Sequence, residues 1–165
     1  MKRLIAILAF ASVCVFCFAQ SLGNYTFSHG VSSYTPISSG TQLGNESTSG
    51  QRFVDPAIPL GGTATTGPGF PIGFNFYFNG QEYDRVGICA SGWISLGQSW
   101  EVTALNMSAN TTTPLGYTSA INPSWLVSRI AGLANNMSAQ AGSSLRIETI
   151  GILPYRVLVV QWNNY

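Results

Sequence analysis

The sequence predicts an all-β fold, either an antiparallel sandwich or a barrel. Glycine and proline, at 18 and 8 positions, interrupt almost every window in which a helix could form. No long stretch carries apolar residues at the helical spacing of i, i+3, i+4 and i+7. Short runs with strand composition recur instead between Gly, Pro, Asn and Ser, which is typical of antiparallel sandwiches and barrels.

The N-terminal part of the chain predicts two short strands and two loops. Residues 24–28 (NYTFS) and 33–37 (SYTPI) have strand composition. Residues 40–49 show no apolar periodicity and predict a surface loop. The Gly, Thr, Ala and Pro composition of residues 61–69 predicts a second loop.

A hairpin over residues 70–97 is the clearest element of the sequence. Apolar side chains alternate from Ile72 to Phe78, which predicts a strand with one apolar face. Asn79-Gly80 follows, and this pair is the strongest short signal for a two-residue hairpin turn. Residues 93–97 (WISLG) predict a third strand after the returning one.

The apolar pattern of this hairpin is out of phase between its turn and its base. A strict two-residue turn sets Phe76 opposite Tyr83 and Phe74 opposite Arg85, on the face away from Val86. A one-residue slip moves side chains to the other face of a sheet. We therefore predict a bulge or a lengthened loop between Tyr83 and Val86.

Three further elements are predicted in the C-terminal third, after a weakly patterned stretch at 101–128. Residues 128–133 predict a buried strand, followed by a turn at Asn135-Asn136. Residues 145–149 alternate as a half-exposed strand. The nearly continuous apolar run at 156–162 predicts a strand in the centre of a sheet.

The N-terminus predicts a secretory signal peptide over residues 1–19. A basic start, Met1-Lys2-Arg3, precedes an apolar run of about 15 residues, whereas a membrane-spanning helix needs roughly 20. Small residues near the end of this run place cleavage after Ala19. A retained membrane anchor is the disfavoured alternative. Residues 20–165 are then expected to form one β-sandwich domain, secreted or at the cell surface, with no membrane contact after cleavage.

Charged residues make up 8% of the chain, against about 25% in an average soluble domain. The formal net charge of +1 offers no basic face for phosphates, so no nucleic-acid partner is expected. Residues 20–165 contain five arginines, six acidic residues and no lysine. They also contain a single cysteine, Cys89, so no disulfide can form within the domain.

The few chemically active side chains do not form a recognisable catalytic motif. The single histidine, His29, lies in a predicted loop with no nucleophile elbow in the chain. Glu82 and Asp84 share a strand face. Charged residues that follow a turn more often form a solvated strand edge than the catalytic carboxylate pair of a glycosidase. Cys89 is expected to be a small buried side chain. No metal-ligand spacing is present, so neither enzymatic activity nor a metal or other cofactor is expected.

The aromatic residues allow two interpretations. The phenylalanines of the hairpin are expected in the sandwich core. Trp100, Trp125 and Tyr117 lie in weakly patterned loops. Exposed rings there could stack on sugar faces, but rings that cap the ends of the core are the favoured interpretation because tryptophan is highly buried on average.

Several sequence segments of the chain together resemble a known extracellular domain. They are FAQ at 18–20, NYTFS at 24–28, YTPISSGTQLG at 34–44, IPLG at 58–61, PIGFNFYFNGQEYDRVGICASGWISLG at 71–97 and RVLVVQWNNY at 156–165. The chain thus resembles the N-terminal β-sandwich domain of large surface proteins of Bacteroidetes and related bacteria that are exported by the type IX system. The resemblance implies a sandwich of jelly-roll type and no enzymatic activity.

The chain departs from this pattern at two places. Family members often carry Trp-Asp-Asp-Leu where residues 130–137 read IAGLANNM, so acids that could serve an ion or ligand there are missing. Family members also continue beyond the QWNNY-like strand with further strands and other modules. We therefore expect this chain to be a fragment that lacks the last strands of its sandwich.

These observations predict a non-catalytic extracellular or cell-surface module, a structural or adhesion unit of a larger exported protein. The alternative is a carbohydrate-binding module that uses Trp100, Trp125 or Tyr117. The expected partners are glycans or other surface proteins, and the adjoining domains of a longer parent chain.

Overall fold

The computed structural model describes residues 30–31, 33–58, 60, 64–78, 80–100, 104–107, 128–133 and 135–165. The chain divides into two compact units, Met1–Tyr34 and Thr35–Tyr165. The described residues of the first unit are exposed and lie outside any strand. The predicted signal peptide and the predicted strand at 24–28 lie outside the described residues.

The second unit consists of antiparallel strands, and its described residues include no helix. The strands are β1 (Thr41–Asn45), β2 (Arg52–Phe53), β3 (Thr66–Gly67), β4 (Phe70–Phe78), β5 (Gln81–Cys89), β6 (Trp93–Gly97), β7 (Leu105–Asn106), β8 (Arg129–Ala131), β9 (Ser144–Ile150) and β10 (Val157–Asn163). One sheet has the order β1-β9-β10, and the other has the order β2-β5-β6-β8 with β4 also paired to β5. Strands β3 and β7 form a separate two-stranded ribbon. The all-β antiparallel sandwich predicted from the sequence is confirmed, while its jelly-roll topology and the loss of its last strands stay predictions.

The main core lies between the two large sheets. The three-stranded sheet contributes Leu43, Leu145 and Ile147, and the larger sheet contributes buried residues of β2, β4, β5 and β6. Phe70 of β4 is buried in this core, and the later phenylalanines of the strand, Phe74, Phe76 and Phe78, pack against it and are partly buried, as the alternation in the hairpin predicts. Burial of large apolar side chains from both sheets is the main stabilising contribution to the sandwich.

A second, smaller core covers the other face of the larger sheet. It contains Val54, Cys89 and Trp93 together with Leu105 and Met107 of the ribbon segment. The ribbon segment approaches β5 closely because β5 carries Gly87 there. A Cβ atom on Gly87 would lie 2.7 Å from Met107 Sδ and 2.9 Å from Leu105 Cδ2. The glycine therefore makes room for the ribbon.

The β4–β5 hairpin has the register that the sequence predicts. Phe78 pairs with Gln81, which leaves two residues for the turn, and Gly80 has φ of +75°. Phe76 pairs with Tyr83 as expected.

At the base of the same hairpin, Phe70 pairs with Val86 and Pro71 with Arg85. Between these pairs and Phe76 the register shifts, because the four residues 72–75 oppose Asp84 alone. The irregularity lies at the predicted level of the hairpin, but its extra residues belong to β4 and not to the predicted stretch of β5 between Tyr83 and Val86. It lets Phe76, Tyr83, Phe70 and Val86 all belong to the main core on both sides of the irregularity.

Two local predictions near the N-terminus are wrong. Residues 33–38 lie outside any strand, and the stretch at 40–49 contains strand β1 rather than only a loop. Strand β1 pairs with β9 and buries Leu43 and Gly44. Its sequence, TQLGN, has a single large apolar residue and no strand periodicity. The strand forms because it pairs with β9 and is buried there.

The last strand has an open flank within the described part of the chain, and the central position indicated by its sequence stays a prediction for a longer parent chain. There β10 pairs with β9 on one side only, which makes it an edge strand. Its outer face is nevertheless covered at Gln161, which is 7% exposed and whose Oε1 accepts a hydrogen bond from the Ile37 N–H at 2.6 Å. Across the core, Trp162 Nε1 donates to the Cys89 carbonyl at 2.9 Å. The inner face of this edge strand therefore packs against the main core.

Gly40 precedes β1 with φ of +77°, and a Cβ atom there would contact the Ile147 carbonyl oxygen and lie 2.7 Å from Glu148 Cβ. Gly142 has nearly the same φ, +78°, but no neighbour within 4 Å of a Cβ atom. Both glycine-to-alanine changes place an L-residue in the left-handed region, which costs about 1–2 kcal/mol. Gly40→Ala is expected to lower the free energy of unfolding by about 1–3 kcal/mol more than Gly142→Ala, because the backbone of β9 must also move. Urea unfolding of the two variants checks this, and equal losses would contradict the close approach of β1 to β9.

Candidate functional site

Of the three loop rings, for which capping of the core is the favoured interpretation and glycan contact the alternative, only Trp100 lies in the described part of the chain, and its exposure shows that it does not cap the core. Trp100 follows β6 in a turn and is 55% exposed. The turn is fixed to β5, because Gln98 Nε2 donates to the Glu82 carbonyl at 2.7 Å and the Ser99 N–H donates to Asp84 Oδ1 at 2.7 Å. Tyr117 and Trp125 lie outside the described residues. Trp100 thus presents a ring to solvent from an anchored turn.

The carboxylates of Glu82 and Asp84 are each engaged by two donors of the protein. Glu82 accepts from Asn75 Nδ2 and from the Tyr77 hydroxyl, the latter at 2.5 Å. Asp84 accepts from the Ser99 N–H and the Ser99 hydroxyl. These bonds hold the two carboxylates to different neighbours, β4 for Glu82 and the Trp100 turn for Asp84.

Tyr77 is the titratable group most directly affected by this arrangement. Its hydroxyl donates to Glu82, and this bond together with the negative charge of the carboxylate raises the pKa of Tyr77 above its usual value. Loss of the proton would remove a hydrogen bond and set two anions side by side. The side chain is exposed, so the effect belongs to the surface of the hairpin.

Cys89 belongs to the second core, and Arg129 lies against Trp93 of the same core. Burial raises the pKa of the Cys89 thiol, which opposes thiolate formation. The Arg129 guanidinium lies over the Trp93 ring at 4.7 Å from its centroid, and its Nη2 donates to the Asn106 carbonyl at 3.2 Å. Burial, followed by the like charge of Arg52, lowers the pKa of Arg129 to about 10. The predicted buried position of Cys89 is confirmed.

A groove with a volume of about 690 Å³ lies where the β4 bulge interrupts the pairing with β5. Its wall includes bulge residues, the neighbouring part of β5 and the connection between β9 and β10. The lining residues are Pro71, Gly73, Phe74, Asn75, Asp84, Arg85, Leu153, Pro154 and Arg156. We call this the bulge groove. Its volume falls in the range of small-molecule sites.

Two cross-sheet hydrogen bonds close the bulge. Thr149 Oγ1 donates to the Ile72 carbonyl at 2.6 Å, and Arg156 Nη1 donates to the Gly73 carbonyl. Both carbonyls belong to the stretch of β4 that has no register partner on β5. A buried or half-buried carbonyl without a partner is costly, so Thr149 and Arg156 stabilise the irregularity. The Arg156 guanidinium also lies 5.8 Å from the centroid of the Phe74 ring.

Arg85 and Asp84 meet in the bulge groove as consecutive residues. Tyr83 and Val86 both face the main core although they are three residues apart, so the two residues between them are both half-exposed. Arg85 Nε lies 3.7 Å from Asp84 Oδ2, a distance for an ion pair and not for a hydrogen bond. The groove therefore holds two guanidinium groups and one carboxylate, a net positive site.

The sequence indicates part of this groove but not its composition. The phase slip between Tyr83 and Val86 predicts an irregularity, and irregularities of strands often re-aim side chains at sites. Nothing in the sequence places Arg156 in the same groove as Arg85, because 71 positions separate them and their common position depends on how the two sheets meet.

Two features that the described residues lack bear on the class of site. Within those ranges no group of three or more His, Cys, Asp and Glu side chains is placed to hold a metal ion. In the same part of the chain no helix is long and apolar enough to cross a membrane.

The architecture and the groove define a β-sandwich module with a polar surface site. Residues 24–165 match the family described as NIDO related, and the chain belongs to this family. The family is one of extracellular domains. No curated protein and no solved structure matches the chain significantly.

The contact between Tyr77 and Glu82 predicts a measurable titration. In the full chain, the phenolate of Tyr77 is expected to form above the usual pH, and Glu82→Gln should lower the Tyr77 pKa because the adjacent charge is lost. Glu148→Gln is the control, since Glu148 accepts from Ser39 on the other sheet. Resolved tyrosine ring signals in NMR spectra across alkaline pH report this value. An unchanged Tyr77 pKa in Glu82→Gln would exclude the contact.

Proposed function

We propose that this chain is a non-catalytic module at the cell surface or outside the cell, acting as a structural or adhesion unit of a larger exported protein. The match of residues 24–165 to the NIDO-related family carries this proposal, because that family consists of extracellular domains. The two-sheet fold supports it, since a compact sandwich with a large core can serve as a rigid spacer.

The absence of catalysis is part of the proposal. A glycosidase needs two carboxylates set for an acid and a nucleophile or base. Glu82 and Asp84 instead accept hydrogen bonds from Asn75, Tyr77 and Ser99, which suits a role in fixing the surface of the hairpin. Cys89 is fully buried, which disfavours a role as a nucleophile.

The cellular setting completes the proposal. The predicted signal peptide, cleaved after Ala19, would export the chain, and the resemblance to Bacteroidetes surface proteins would place it among type IX cargo. Its partners would then be other surface proteins or glycans and the adjoining domains of a longer parent chain.

The second candidate function is carbohydrate binding through a loop ring. One observation favours it: Trp100 is 55% exposed, although tryptophan is highly buried on average. An exposed indole on an anchored turn offers a flat apolar face for a sugar ring.

Hydrolysis assays test the non-catalytic proposal. Purified full chain is expected to release no product from panels of polysaccharides and peptides above the level of a heat-unfolded sample, because no acid-base pair is free to act. Product formation that is lost in Glu82→Gln or Asp84→Asn would overturn the proposal. Circular dichroism of each variant verifies that the fold is retained.

An array of neutral glycans tests the role of Trp100. If the ring binds sugar, Trp100→Ala should abolish a saturable signal, because stacking on an aromatic face is lost. The exposed Tyr34 supplies a matched control as Tyr34→Ala. Silence of the wild-type chain on neutral glycans supports the structural role alone, and equal signals in both variants would exclude Trp100 as the contact.

A further inference from the structure

The bulge groove concentrates charge in a chain that has very little. Residues 20–165 contain five arginines, and two of them, Arg85 and Arg156, line this one groove. Two guanidinium groups and the single carboxylate of Asp84 leave this opening net positive, which favours a bound anion. Their common position therefore points to an anionic ligand.

The donors of Arg85 remain available for that ligand. Its ion pair with Asp84 spans 3.7 Å, and both Asp84 oxygens already accept hydrogen bonds from Ser99. The Arg85 side chain is 32% exposed. A planar guanidinium binds a carboxylate through two parallel hydrogen bonds, so Arg85 can take a carboxylate from solution.

Arg156 has a mixed role in the same groove. Its Nη1 is used by the Gly73 carbonyl, and its guanidinium lies near the Phe74 ring. These contacts hold the group in place without neutralising its charge. Arg156 therefore adds positive potential from a fixed position, which favours a bound anion at little cost in side-chain entropy.

The remaining lining groups favour a hydroxylated ligand. Asp84 carries a negative charge and can accept further hydrogen bonds, and Asn75 adds an amide. Asp84 would repel a second anionic group bound directly beside the one on Arg85, whereas sugar hydroxyls donate to it. Leu153, which is 72% exposed, and Pro154 add an apolar wall for the C–H face of a sugar ring.

A peptide fits this groove less well than a saccharide. An extended peptide needs partners for its own backbone groups, and strand edges usually supply them. At the bulge, the Ile72 and Gly73 carbonyls are already bonded by Thr149 and Arg156. We infer that the bulge groove binds an acidic saccharide, with the carboxylate of a uronic acid unit on Arg85 and its hydroxyls on Asp84 and Asn75.

This binding site does not depend on the proposed module function or on Trp100. An inactive spacer and a glycan-binding module could each carry it, and hydrolysis by Glu82 or Asp84 would leave the Arg85 contact untouched. The hydrolysis and neutral-glycan assays test the proposed function, whereas the titration below tests the groove. Failure of one proposal can therefore be distinguished from failure of the other.

The test is a titration of the full chain with a galacturonic acid trimer, followed by NMR and calorimetry. Saturable binding is expected, with signals shifting at the bulge groove, and a neutral galactose trimer should leave the groove signals unshifted. Arg85→Gln should weaken the binding by about tenfold or more, since a charge-assisted bidentate contact is lost. Arg85→Lys should recover only part of it, because the ammonium keeps the charge but not the paired geometry.

Arg146→Gln is the matched control. It removes the same charge from β9, where Arg146 Nη2 donates to Gln42 Oε1 at 3.0 Å, outside the groove lining. Unchanged affinity in this variant is expected. Thermal unfolding shows that each variant is folded. Arg156→Gln is not used as the main test, because it also removes the bond to the Gly73 carbonyl.

Three results would overturn the inference. The first is no saturable binding of the uronic acid trimer by the folded wild-type chain. The second is an equal loss of affinity in Arg85→Gln and Arg146→Gln, which would indicate a general effect of net charge. The third is Arg85-dependent binding of an aspartate-containing tripeptide without binding of the uronic acid trimer, which would make the ligand an acidic peptide.

Discussion

The bulge in β4 is the constraint on which the rest of this sandwich depends. The hairpin has to present the rings of β4 and the aliphatic residues of β5 to one core, yet their sequence spacing is out of phase. Four residues of β4 opposite Asp84 alone resolve this conflict. The same irregularity frees two carbonyls, and Thr149 and Arg156 bond them from the β9–β10 side. One local mismatch therefore connects the two sheets and opens a groove.

The larger sheet is covered on both faces, and this determines which residues it can carry. Val86 and Ile88 face the main core, whereas Cys89 packs on the other side against the ribbon segment. Gly87 lies between them without a side chain, because Met107 and Leu105 occupy the space that a Cβ atom would need. The strand is thus apolar at successive positions, as expected for a strand with two covered faces.

The polar groups of this domain mostly serve its own structure. Glu82 and Asp84 fix β4 and the Trp100 turn to β5, and Arg129 lies against Trp93 within the second core. Arg85 differs, since its partner in the described part of the chain, Asp84, forms only a loosely spaced ion pair with it. In a domain with so few charges, a half-exposed cation held only by a loose ion pair is the feature that most directly suggests recognition.

Local sequence determined the fold class, the two-residue turn between β4 and β5, the pairing of Phe76 with Tyr83 and the bulge near Asp84, because turn chemistry and side-chain period act over a few residues. Tertiary structure decided the rest. Strand β1 exists because β9 pairs with it, and β10 is an edge strand in the described part although its sequence is that of a central one. Arg156 reaches the groove of Arg85 only because the two sheets pack with the β9–β10 connection over the bulge. Such contacts join residues far apart in the chain, and their burial is set by the whole fold and not by local pattern.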